Sequence, residues 1–370
     1  MTKTLNRRTF LKTAAAGTAV AIAPRPLLAA APDKVTLAFV GCAHIHTPGF
    51  VSLLKGRPDV AVKYAWDPDR RRAEHWARQL GCAVAGETNA IWSDREVTGV
   101  VICSETARHA ELVAAAAKAG KHLFVEKPLG ITAKESLAMA RAIEAAGLLF
   151  TTGYFMRTDP KHLFLKDQIA RGALGRITRA CAWNCHSGSL GGWFDSKPND
   201  VPNDWRWMAD PKLAGVGAFG DLGTHSLDIL MWLLGGVDAV AADIRTITGR
   251  YGPDCDETGL AQIKFKSGVM GSLAAGWVDV ANPVTLEISG TEGHAVIFRD
   301  QLYLQTTDRK DPQPVTSLPA APQLPLHQFV DAIRGKPGQP LVTPTEAAAR
   351  VVVMEGMYRS SKSGKWTRVG

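Results

Sequence analysis

No segment of this 370-residue chain approaches the roughly 20 consecutive apolar residues that a membrane-spanning helix needs. The Ala-rich run from Ala14 to Ala23 is only ten residues long, so stable membrane insertion is not expected. Cysteine is sparse, six in all, and Cys42, Cys82, Cys103, Cys181, Cys185 and Cys255 make no zinc-type spacing. Cys181 and Cys185 on one strand would stand about 13 Å apart, beyond the roughly 7 Å Cα separation a disulfide tolerates, so the cysteines read as thiols. Acidic residues are absent from positions 1 to 31, which carry Lys3, Arg7, Arg8, Lys12 and Arg25. The formal charge of +8 therefore shrinks to +3 beyond residue 31, with 38 basic against 35 acidic residues. Such a balance gives no reason to expect nucleic acid or a membrane surface as partner. What is abundant is apolar residue, 46% against 21% charged, which excludes a disordered chain. The length suits two domains with a short appendage.

The appendage is residues 1–31. Asn6-Arg7-Arg8-Thr9-Phe10-Leu11-Lys12, the weakly apolar run, Pro24 and then Ala29-Ala30-Ala31 resemble a twin-arginine export signal. Cleavage after Ala31 would leave Pro32 first, so cleavage one residue earlier or retention of the leader stays open. The resemblance implies the twin-arginine translocation machinery as a partner, a periplasmic or otherwise exported destination, and a cofactor acquired before export. Folding in a reducing cytoplasm requires no disulfide.

From Val35 the chain alternates strand-like and helix-like runs at the spacing of βαβ units. Val35 to Val40, Val60 to Trp66, Gly99 to Cys103, His122 to Val125 and Leu148 to Thr152 read as strands. Asp69 to Leu80, Thr106 to Ala119 and Thr132 to Ala146 read as helices, two of them stopped by Gly81 and Gly120. Residues 33–152 are thus expected to form a Rossmann-type doubly wound parallel sheet with its ligand at the carboxyl ends of the strands. The first turn, Gly41-Cys42-Ala43-His44-Ile45-His46, matches the dinucleotide fingerprint only in part, since His46 stands where a small residue is usual. Asp67, about 20 residues past the turn, is placed to accept hydrogen bonds from an adenosine ribose. That favours NAD, while Arg70, Arg71 and Arg72 leave NADP open. His44 and His46 have no third ligand in register, and no metal is expected.

The fifth strand ends in Glu126-Lys127-Pro128, and Asp221-Leu222-Gly223-Thr224-His225-Ser226-Leu227-Asp228 follows about ninety residues later. Oxidising a secondary alcohol needs a base for the hydroxyl proton and a group that stabilises developing alkoxide charge. Lys127, at the end of a parallel strand, is placed to orient a hydroxyl. Asp221 and His225, four apart on a helix, share one face about 40° apart, and an imidazole with an unperturbed pKa near 6.5 suits proton exchange. Alone, Asp221 could equally be a helix N-cap and His225 a surface residue. Together with GYFMR at 153–157, GALGRI at 172–177 and DWRW at 204–207, these segments resemble the glucose-fructose oxidoreductase, inositol dehydrogenase and MocA family over essentially the whole chain from Val35. The resemblance puts catalysis on Lys127, Asp221 and His225. It puts a non-covalent NAD(P) cofactor against Gly41, Cys42, Ala43, His44, Ile45, Asp67, Ser104, His109, Glu126 and Lys127, and export away from the cytoplasmic nicotinamide pool implies that this cofactor is retained. Tyr154, Arg157, His186, Trp205 and Arg206 join Asp221 and His225 as substrate contacts.

Residues 153–370 carry longer strands: Arg176 to His186, Ala239 to Thr248, Thr258 to Lys266 against Val269 to Val278, and Thr285 to Gly290 against His294 to Phe298. A mostly antiparallel, open sheet covered by helices on one face is expected, which the family resemblance makes both substrate wall and surface of a dimer or tetramer. Trp183, Trp193, Trp205 and Trp207 fall within 25 residues around a loop, either a sugar-stacking surface or that loop's own core. The expected function is a periplasmic NAD(P)-dependent oxidoreductase acting on a secondary or anomeric hydroxyl of a sugar, glycoside or cyclitol. A redox-neutral NAD-dependent glycosidase is the alternative, and a non-catalytic nucleotide sensor is disfavoured by the intact Lys127, Asp221 and His225.

Overall fold

Apolar runs with almost no polar interruption make strands that are covered on both faces, and the first half of the chain is built from them. In a computed structural model describing residues 34–195 and 205–369, β1 (Val35–Cys42), β2 (Val60–Trp66), β3 (Ala83–Val84), β4 (Gly99–Cys103), β5 (His122–Val125) and β6 (Phe150–Thr152) form one sheet in the order β3-β2-β1-β4-β5-β6. Every neighbouring pair is parallel. All five residues of β4 are buried. The expected helices are found at Arg70–Leu80, His109–Lys118 after a 3-10 turn, and Ala133–Ala145. Gly81 and Gly120 both take left-handed φ values, 66° and 69°, which is why glycine stands at these stops. Two short helices, Thr47–Lys55 and Asn89–Ser93, are not announced by the pattern. Pro48 and Gly49 read as turn residues, yet proline is well tolerated in a first helical turn, where its missing N–H is not needed.

The second sheet has nine strands. They are β7 (Ile177–Cys185), β8 (Val237–Arg245), β9 (Thr258–Phe265), β10 (Met270–Gly276), β11 (Val284–Gly290), β12 (Gly293–Phe298), β13 (Gln301–Thr306), β14 (Arg309–Pro314) and β15 (Thr367–Arg368), in the order β14-β13-β12-β11-β7-β10-β9-β8-β15. The two hairpins expected from sequence pair as expected, and β7 with β10 is a parallel pair inside an otherwise antiparallel sheet. Strand β9 alternates buried Gly259, Ala261, Ile263 and Phe265 with exposed Leu260, Gln262 and Lys264, so only one face is covered. The cover is the Ala218–Leu234 and Pro344–Ser363 helices, whose Leu227, Leu230, Val353, Met354 and Met357 join the sheet's Ile263, Leu273 and Ile288 in one core. All six cysteines are free thiols.

After the second sheet the chain returns to the first. Leu326, Phe329 and Val330 of the Pro325–Ile333 helix pack with Phe39 and Phe124, while Ala347, Ala348 and Val351 pack with Val125, Met139 and Ile143. A buried ion cluster fixes this return. Asp228 accepts from Arg157 at 2.6 and 2.8 Å and from Arg350 at 2.9 Å, and Arg157 also donates to Glu346 at 3.0 Å. Replacing Asp228 with Asn strips the buried charge that two guanidinium groups face. We expect Asp228→Asn to lower stability by about 3–5 kcal/mol, read in a thermal or denaturant melt, and an unchanged melt would remove this cluster from the account. Residues 1–33, including the leader, lie outside the described residues, and among those described no helix is long and apolar enough to cross a membrane.

Candidate active site

The site grows from the turn after β1. Gly41 has φ +84°, and a Cβ there would collide with the backbone and Cβ of Ser104, so only glycine permits this approach. The Cys42 amide donates to Asp67 Oδ2 at 2.7 Å, and Asp67 Oδ1 accepts from the Asp69 amide and from Arg72 Nε, both at 2.8 Å. Asp67 is therefore at the end of β2 as expected, but already tied to the turn. The three arginines that left NADP open are each paired with a carboxylate: Arg70 with Glu74, Arg71 with Asp69, and Arg72 with Asp67 and Glu105. Beyond the turn the Thr47–Lys55 helix starts with no acid in its first turn, a geometry suited to a pyrophosphate. Ser104 is buried, and His109 opens the next helix with Nδ1 3.1 Å from the Leu129 carbonyl and a buried Nε2 that has no partner. The Gly41 approach, the acid-free helix end and the orphaned His109 nitrogen fit a dinucleotide lying across the carboxyl ends of β1 and β4.

Glu126, fully buried at the end of β5, changes the reading of the two histidines. His46 Nδ1 lies 3.0 Å from Glu126 Oε1 and His44 Nε2 lies 3.9 Å from Oε2, with the three groups' ligand atoms all within 4.8 Å of one another. The third partner that sequence register does not supply therefore comes from a different strand. These groups already satisfy one another: the His46 amide donates to His44 Nδ1 at 3.2 Å and the Lys127 amide to Glu126 Oε2 at 2.8 Å. Burial pushes His44 down to about 3, so it is neutral, while Glu126 is held well below the usual carboxylate range because the histidines and Lys127 outweigh its burial.

Lys127, Asp221 and His225 converge as expected. The Lys127–Pro128 peptide is cis. Lys127 Nζ stands 2.6 Å from Asp221 Oδ1, and both side chains are nearly buried. Burial alone would raise the Asp221 carboxyl, but the Lys127 ammonium beside it holds it below its ordinary value. Asp221 is not an N-cap, for Gly217 caps the Ala218–Leu234 helix and Asp221 lies in its first turn. His225 follows one turn on, 4% exposed, with Nδ1 unpartnered. The expectation of a near-neutral imidazole pKa is corrected: burial, then the Lys127 charge, pushes His225 well below 6.5. It is a neutral acceptor at pH 7.

One cavity of about 390 Å³ collects these groups, lined by Ile45, His46, Lys127, Asp221 and His225 together with His186, Trp193, Phe194 and Trp277. Of the expected substrate contacts, His186 is there. Tyr154 is not, because its hydroxyl bonds Thr224 Oγ1 at 2.9 Å behind His225. Arg157 is spent in the Asp228 cluster described above. Trp205 is buried in a cluster with Phe194, Trp207 and Trp277, and Arg206 points outward to Asp195 at 2.7 Å. The tryptophan loop is thus partly its own core, with Trp207 Nε1 donating to the Ala43 carbonyl at 3.0 Å. The middle of that loop, 196–204, lies outside the described residues. Sequence reading missed Phe155, whose ring is 43% exposed and 5.0 Å from that of His225. The GYFMR segment contains it, but the 3-10 turn at Phe155–Thr158 turns its neighbours inward, and that turn has no sequence signature.

The depressed histidines carry a pH consequence. His44, His109, His162 and His225 have folded pKa values below their unfolded value, so below about pH 6.5 the unfolded chain binds the extra protons and stability falls with pH. Each such group contributes up to about 1.4 kcal/mol per pH unit. The melting temperature should drop several degrees between pH 7.5 and pH 5.5, and a melting temperature that rises on acidification would contradict the buried neutral imidazoles.

Comparison with known proteins agrees with the two-sheet fold. Residues 35–154 match a model described as "Oxidoreductase family, NAD-binding Rossmann fold", and residues 162–296 match the "GFO/IDH/MocA C-terminal domain". The chain belongs to the GFO/IDH/MocA family. Residues 4–24 of this family member match a twin-arginine translocation pathway signal sequence. It is similar to levoglucosan dehydrogenase of Pseudarthrobacter phenanthrenivorans, 32% identical over 63% of this chain and 65% of that protein, just under two thirds of the relative's length. It is also similar to scyllo-inositol 2-dehydrogenase (NAD(+)) of Bacillus subtilis, 27% identical over 87% of this chain and 91% of the other. A solved structure of levoglucosan dehydrogenase in complex with NADH shares the fold, with a TM-score of 0.77 at 24% identity over 91% of this chain and 99% of that one.

Proposed function

We propose that this GFO/IDH/MocA protein is an exported, NAD-dependent oxidoreductase that oxidises a secondary or anomeric hydroxyl of a sugar, glycoside or cyclitol and keeps its cofactor between turnovers. The observation that carries the reading is the convergence of Lys127, Asp221 and His225 on one cavity beside the Gly41 turn. The dinucleotide would lie against Gly41, Cys42, Asp67, Ser104, His109 and Glu126, and when bound it accepts the hydride that leaves the substrate carbon. Lys127 Nζ donates a hydrogen bond to the substrate oxygen and stabilises its developing negative charge. Asp221 holds that ammonium in place at 2.6 Å. His225, neutral and inside the cavity, takes the hydroxyl proton. Trp193, 45% exposed, gives the cavity an apolar aromatic surface suited to the C–H face of a sugar ring. Pairing of Arg70, Arg71 and Arg72 with carboxylates favours NAD over NADP. A twin-arginine leader carries a folded protein away from the cytoplasmic nicotinamide pool, which is the reason for retention. The exposed Leu260 and Met270 on the uncovered sheet face favour a homo-oligomer. Denaturing the purified mature protein should release stoichiometric NAD, and a protein that releases no nucleotide would overturn the retained-cofactor reading.

A further inference from the structure

A second cavity, about 340 Å³, opens beside the catalytic one, and Phe155, Met156 and Asn184 line both. Each cavity alone reaches the size of a small-molecule site, roughly 300 Å³ or more. The helix that carries the catalytic pair runs on into the second one. Asp221, His225 and Ile229 follow one another at intervals of four on one helix face, and Ile229, with Ser226, lines the second cavity. Ile229 is therefore displaced about 6 Å along the helix axis from His225, roughly the step from one sugar ring to the next. The Asn184 amide is fixed by its bond to the Leu222 carbonyl at 3.0 Å, so the shared wall is rigid.

The second cavity combines an apolar floor with a charged rim. Its floor is apolar, from Ala182, Leu286, Ile229 and Ile297, and Trp183 and Thr285 stand at its wall. Its rim is Lys161 between Asp159 at 3.2 Å and Asp300 at 2.8 Å. One ammonium against two carboxylates disfavours a phosphate or uronate and accepts neutral hydroxyls. We propose that this cavity is a second subsite for a neutral glycosyl unit, so that the substrate is a disaccharide or comparable glycoside whose oxidised ring lies against Lys127 and His225 and whose other ring lies beyond Phe155. The proposal rests on the function argued above and deepens it.

The test uses the holoprotein, calorimetric binding, and cofactor reduction, with glucose, galactose and myo-inositol set against maltose, cellobiose, lactose and trehalose. At least one disaccharide should bind about tenfold more tightly than any of the single rings. Thr285→Trp, which fills the second cavity, should reduce that disaccharide's affinity by about tenfold or more and change single-ring binding less than about twofold. Lys161→Ala, at the rim, should give a smaller loss in the same direction and covers the case of misfolding by the tryptophan variant. Equal binding of one-ring and two-ring sugars, or equal losses for both in the two variants, would overturn the subsite. Because binding is read without turnover, these outcomes judge the subsite separately from the redox reading, which fails if no sugar reduces the bound cofactor.

Discussion

Lys127→Met should lower kcat by about a thousandfold or more while the purified protein still carries its nucleotide. The methionine keeps the length and the apolar stem of the lysine and removes only the ammonium. Two effects then act together. The substrate oxygen loses the one cation in the described cavity lining, so the alkoxide-like charge that develops is no longer offset. Asp221, nearly buried and formerly paired at 2.6 Å, loses the charge that holds its carboxyl below the ordinary range and takes up a proton more readily. The cofactor contacts proposed for Gly41, Cys42 and Asp67 lie on other strands and do not involve the Lys127 side chain. Nucleotide released per protein should therefore match the wild type. Loss of turnover together with loss of nucleotide would make Lys127 a cofactor-binding residue rather than a catalytic one.

His225→Ala should cost about 10²–10⁴ in kcat, the usual range for removal of a positioned base. Its pH dependence discriminates further. The wild-type imidazole is pushed well below 6.5 by burial and by the Lys127 charge, so it stays a competent proton acceptor as the solution is acidified through pH 6. Wild-type turnover should be level from pH 8 to pH 6 and fall only at lower pH, provided measurements are kept above the acid melt. The alanine variant, dependent on hydroxide or water, should instead gain rate steadily with pH across the same span. A wild-type profile that falls with a midpoint at 6.5 would mean that His225 titrates as a solvated imidazole, contrary to its burial.

The first sheet and the three residues proposed to be catalytic, Lys127, Asp221 and His225, were legible in the sequence because both depend on local pattern. Strand β4 is five apolar residues in a row, Gly81 and Gly120 stop their helices by left-handed φ, and Asp221 with His225 needs only helical periodicity to share a face. Other features depend on partners far along the chain. Arg157 was expected at the substrate as part of the GYFMR segment, yet Asp228 and Glu346, 71 and 189 residues away, hold it in the buried ion cluster. Glu126 completes a cluster with His44 and His46 only once the carboxyl ends of β1 and β5 are brought to the same end of the sheet. Strand β14, Arg309–Pro314, escaped because it is exposed throughout and has no apolar alternation to betray it. Phe155 lines the cavity and Tyr154 does not, because a 3-10 turn, not a helix or strand, sets which side chain faces it.

The most direct test of the account is the near-ultraviolet absorbance of reduced nicotinamide in the purified, exported protein, followed on mixing with the sugar and disaccharide panel and no added cofactor. Absorbance should rise with at least one sugar in the wild type, fall again with a second carbonyl compound, and not rise in Lys127→Met carrying the same nucleotide. A nucleotide-loaded wild-type protein that releases an aglycone from a glycoside without any lasting change in absorbance, or that responds to no sugar, would contradict the account.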